Sequence, residues 1–147
     1  MSYFSKECKT AEELKERAEY NLKLTSKIKG MNFTDAISFL LKEFNLSVIE
    51  ITNVPGDKEC LSYRAFDRYK NCEMKKLSKR IVISMCIAMG LPLFLSKIII
   101  EIAGFTFTNT FEDNLLLVIL EFCVEDTFEE INKKLRRNDL QPLTKSV

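Results

Sequence analysis

The segment 61–71, Leu-Ser-Tyr-Arg-Ala-Phe-Asp-Arg-Tyr-Lys-Asn, gathers the residue types best suited to chemistry in this chain. Ser62 can cap a helix, Arg64 and Arg68 stand four apart, and Phe66 lies between them. A helix over 62–71 would bury Phe66 in a small core and turn both guanidinium groups outward. Arginines so placed suit a phosphate backbone. Lys70, Lys75, Lys76, Lys79 and Arg80 extend the basic run, and each phosphate they neutralised would make binding steeply salt-dependent. The same residues would serve equally as solvated faces of two consecutive helices. Ser62 and Tyr63 are candidate phosphate donors, and Tyr63, Arg64 and Asp67 are candidates for reading bases. Equally, Ser62 would serve merely as a helix cap and Tyr63 as a packing residue.

Other chemistry is poorly supplied. The chain has no histidine, which excludes Ser-His and Cys-His nucleophiles. The pairs Glu12-Glu13 and Glu129-Glu130 fall at expected helix starts, where carboxylates complement the helix dipole. No glycine-rich phosphate loop occurs. Catalysis is therefore not expected. Cys8, Cys60, Cys72, Cys86 and Cys123 show no zinc-ligand spacing, so neither metal nor cofactor is expected. Cys86 and Cys123 lie in apolar runs and read as buried thiols. An odd, dispersed cysteine set without a signal peptide implies a reducing, cytoplasmic setting. The apolar stretch 81–102 is interrupted by Gly90, Pro92 and Lys97, which argues against a membrane span.

The elements that must position the basic run are helical. The 147 residues are 46% hydrophobic and 29% charged, with four glycines and three prolines. So few breakers favour helices over a turn-rich sandwich. Residues 1–30 form an appendage: Thr10 and Glu13 make a capping box, and 11–29 carries a thin stripe of Leu14, Ala18, Leu22 and Ile28 before Gly30. A second helix is expected over 34–44 and a short third from Ser47, with Glu50 completing its capping box. Further helices are expected over 62–71 and 77–89, from Pro92 to Gly104, from Thr110 to Phe122 and from Thr127 to Arg137. The only plausible strand is 105–108. The result is an all-α, compact bundle over 31–147. Phe105, Phe107, Phe111, Phe122 and Phe128 make its last third aromatic and read as core, or some of them as an oligomer or partner interface, with Phe107 and Phe111 expected at the surface.

The net charge of +1 conceals an uneven distribution. Residues 61–104 hold eight Lys/Arg against three Asp/Glu, whereas 31–60 hold two against five and 105–147 five against eight. A basic centre fits a nucleic-acid surface.

With these motifs in view, 32–143 resembles the phage-repressor (Cro-type) helix-turn-helix family. Residues 47–54 look like the second helix of the motif, 62–71 like its recognition helix and 77–89, ending in Gly90-Leu91, like the supporting helix. The remainder is similar to the C-terminal helical extension of some bacterial members. The resemblance implies a non-enzymatic regulator that binds duplex DNA through 62–71, as a homodimer. Two departures bear on this. The segment Asn-Val-Pro-Gly-Asp-Lys-Glu-Cys-Leu between the motif helices is longer than the family's turn, and Asp67 sits among the arginines. They leave open an alternative: a small phage or mobile-element inhibitor, anti-CRISPR in character, that binds a nucleic-acid-handling protein complex. A structural oligomer built through the N-terminal helix is a third reading. Residues 3–24 also resemble the first helix of a J-domain, but the His-Pro-Asp tripeptide that such domains need is missing.

Overall fold

The computed structural model describes residues 7–71 and 76–144; Cys72 and Lys75 lie outside them. Among the described residues there are eight α-helices and no strand. They are α1 (Ala11–Ile28), α2 (Phe33–Glu43), α3 (Val48–Ile51), α4 (Tyr63–Lys70), α5 (Lys79–Ala88), α6 (Leu93–Ile102), α7 (Phe111–Phe122) and α8 (Phe128–Arg137). The protein is a compact all-α bundle.

Side-chain caps decide where most of these helices start. Thr10, Asn32, Ser62, Ser78, Thr110 and Thr127 each accept a hydrogen bond from the backbone N–H three residues on. This satisfies one of the donors that every helix start leaves free. Ser47 makes no such bond, so the capping box expected there is not formed, and α3 is a single turn rather than a helix reaching residue 54. Left-handed residues close several helices: Asn45 after α2, Gly90 after α5, Gly104 after α6 and Asp139 after α8. In each case the next residue's N–H reaches back to a carbonyl of the last turn.

The core runs through every helix except α3. Helix α5 is buried without a break from Val82 to Ile87, as befits a central helix. It packs on α6 and shares one core with Ile37 and Leu40 of α2, Phe66 of α4, Ile99 and Ile100 of α6, Leu116 of α7 and Ile131 of α8. Burial pushes the Cys86 thiol up to about 12. Cys123, expected inside, is only half-buried, and Lys134 Nζ lies 3.6 Å from its Sγ.

Two further expectations are corrected. Residues 105–108 form an extended loop: the Thr108 N–H and hydroxyl both donate to the Asp113 carboxylate, at 2.6 and 2.8 Å, instead of to a strand. The stripe expected to seat α1 is mostly outside. Leu14, Ala18 and Leu22 are exposed, and Leu24 and Ile28 enter the core with Tyr20 beside them.

Candidate nucleic-acid interface

Helix α4 begins where Ser62 accepts from the Ala65 N–H and is oriented by Phe66, whose ring is 0% exposed. It packs on α2 and α3. The Thr34 hydroxyl of α2 donates to the Lys70 carbonyl at 2.7 Å, which ties down the far end. Helical periodicity then turns Arg64, Arg68 and Asn71 away from Phe66, with Asp67 at the flank and Tyr63 in the first turn. Tyr63, Arg64, Arg68 and Asn71 are exposed, and Asp67 is half-buried.

The outward groups differ in freedom. Arg68 lies over the Tyr69 ring, 4.9 Å from its centroid, and Nη2 donates to the Tyr69 hydroxyl at 3.1 Å. Arg64 has no hydrogen bond or ion pair among the described residues. The Asp67 carboxylate bonds to neither arginine among them; its backbone carbonyl accepts from the Asn71 N–H at 3.3 Å and from Asn71 Nδ2 at 3.0 Å. Lys70 is half-buried and Lys76 exposed.

The second half of the basic run behaves otherwise. Lys79 Nζ donates to Asp113 Oδ2 at 2.7 Å and to the Thr106 carbonyl at 3.2 Å, and lies 5.5 Å from the Phe107 ring centroid. Phe107 is accordingly half-buried rather than exposed. Arg80 donates to the Glu112 carboxylate and to the Gln141 carbonyl. Burial raises the Asp113 carboxyl, but the hydrogen bonds from Lys79 and Thr108 outweigh it and hold the group below its usual value. Lys79 and Arg80 thus clasp the first turn of α7. The signal for this was the adjacent pair Glu112-Asp113 at a helix start.

The long segment before α4 is a strap. Asp57 accepts from the Phe128 and Glu129 N–H groups at 2.8 and 3.1 Å, capping α8 from a distance. Glu59, 6% exposed, pairs with Arg136, and the Thr144 hydroxyl donates to the Glu59 carbonyl. Asn132 accepts from the Leu143 N–H at 2.7 Å and donates to the Thr144 hydroxyl at 2.9 Å. None of Asp57, Glu59 and Asn132 stood out by residue type or spacing. Beside the strap, Ile49, Val54 and Tyr63 are exposed along a groove of about 600 Å³ that opens next to α4.

Among the described residues no cluster of three potential ligands could hold a metal, and no helix is long and apolar enough to cross a membrane. No family model, curated protein or solved structure matches the chain.

Proposed function

We propose that the chain is a non-enzymatic, phage-repressor-like regulator that lays α4 against duplex DNA. One observation carries this reading: with Phe66 wholly buried, the opposite face of α4 offers Arg64 and Arg68 to solvent, and Tyr63 is exposed in the first turn. Ser62 and the helix start behind it can approach a phosphate, while the arginines supply charge. Lys79 and Arg80 lie outside this contact set, because their charges already meet α7. Phosphate contacts come from Arg64, Arg68 and Lys76, so the salt slope should be shallow, about −0.9 per contact. A titration of random duplex DNA at several salt concentrations tests it. Replacing both Arg64 and Arg68 by alanine should abolish binding and leave the fold intact. Wild-type protein without salt-sensitive affinity would overturn the reading.

The groove lined by Ile49, Val54 and Tyr63 favours a second reading, an inhibitor that occupies a nucleic-acid-handling protein complex. Its occupant would be an apolar side chain beside a carboxylate, since Lys58 is exposed in the lining. Inhibition of such a complex by wild type but not by Val54→Glu, with DNA affinity absent, selects this reading.

A further inference from the structure

Helix α7 is apolar on two sides, and the bundle covers only one. Leu116, Ile119 and Leu120 are buried against the core. On the opposite side Phe111 is 64% exposed, Val118 47% and Phe122 74%, with half-buried Leu115 between them. The four form one straight stripe, because their spacing of four, three and four residues keeps to a single helix face. A helix apolar all round belongs in an interior. Scattered exposed hydrophobes are ordinary, but a stripe of this length marks a contact surface.

We propose that this face docks a second copy of the same chain, antiparallel, about a two-fold axis between Leu115 and Val118. The spacing reads the same from either end. Reversing the helix therefore sets Phe111 opposite Phe122 of the second copy and Leu115 opposite its Val118, each of these two contacts occurring twice. That is the self-complementarity an isologous interface requires, and a foreign partner would not call for it. The charges agree. Glu121 on one flank falls opposite the uncharged Asn114 of the second copy, and Glu112 on the other is already matched by Arg80.

Size sets the strength. A phenylalanine side chain offers roughly 150–250 Å² when fully buried, so four rings about two-thirds exposed remove about 500 Å² from water. Even with the Leu and Val contacts this falls short of the roughly 1,200–2,000 Å² of a stable interface. The dimer is weak and concentration-dependent.

Sedimentation equilibrium without nucleic acid tests this, so its outcome does not depend on how α4 is used. From about 10 µM to about 1 mM the mean mass of wild type should climb from one chain towards two. Val118→Glu should stay at one chain, and Phe122→Ser, at the most exposed position of the stripe, should do the same. Val54→Glu, which puts the same charge in the groove beside α4, should associate like wild type. A wild-type mass that stays at one chain throughout, a dimer that survives Val118→Glu and Phe122→Ser in folded protein, or one lost equally on Val54→Glu overturns the proposal.

Discussion

Two pairs of basic residues from one run of sequence meet opposite ends. Arg64 and Arg68 on α4 face solvent, while Lys79 and Arg80 in the first turn of α5 are bound to Asp113 and Glu112 of α7. Cations at a helix start oppose the local dipole, and carboxylates there suit it. The α5 pair is thus unfavourable alone and stable only because the first turn of α7 lies beside it. A run of like charge says little about a surface until the fold shows which opposite charges it brings near.

Breaking the clasp should have the largest effect. Lys79→Ala leaves the buried Asp113 carboxylate without its cation and should cost roughly 3 kcal/mol, within the range for severed buried pairs. Chemical denaturation measures it; a loss under about 0.5 kcal/mol would make the two pairs equivalent surface charges. The pH dependence sharpens the contrast. Since the Asp113 carboxyl is held below its ordinary value, its contribution is full above the ordinary carboxylate range and disappears as pH falls through the lowered value. The stability advantage of wild type over Asp113→Asn should therefore shrink between about pH 7 and about pH 3. An advantage that grew on acidification would reverse the assignment. The smallest effect belongs to α4: replacing Arg64 and Arg68 by alanine should change stability by no more than about 0.5 kcal/mol each. A larger loss would mean that α4 uses these side chains to hold itself together.

Much of the fold was legible in the sequence because helix starts are local. Thr10, Ser62, Thr110 and Thr127 cap where their spacing indicated, and Phe66 is buried as its place between two arginines required. Misreadings arose where a partner is distant in sequence. The strand expected at 105–108 is a loop because Asp113 takes the donors of Thr108. Ser47 opens only one turn of helix, since the chain then leaves to reach α8 through Asp57. Leu14 and Leu22 sit at helical spacing, yet of the expected stripe only Ile28 enters the core, joined there by Leu24. In the candidate site the α4 residues could be read individually, but the removal of Lys79 and Arg80 depended on α7, about thirty residues away. Phe122 was expected to fill core, and it is instead the most exposed aromatic residue of the α7 stripe.

The strap also sets an order of events during synthesis. Its anchors lie 71 to 85 residues downstream: the α8 backbone for Asp57, Arg136 for Glu59 and Thr144 for the Glu59 carbonyl. At about 5–20 residues per second, the ribosome takes roughly 4–17 seconds to make that intervening chain. Throughout this interval the lead-in to α4 lacks these downstream anchors, although α2 and α4 can already meet. The segment leading into α4 is therefore secured only after translation has passed it by about half the protein.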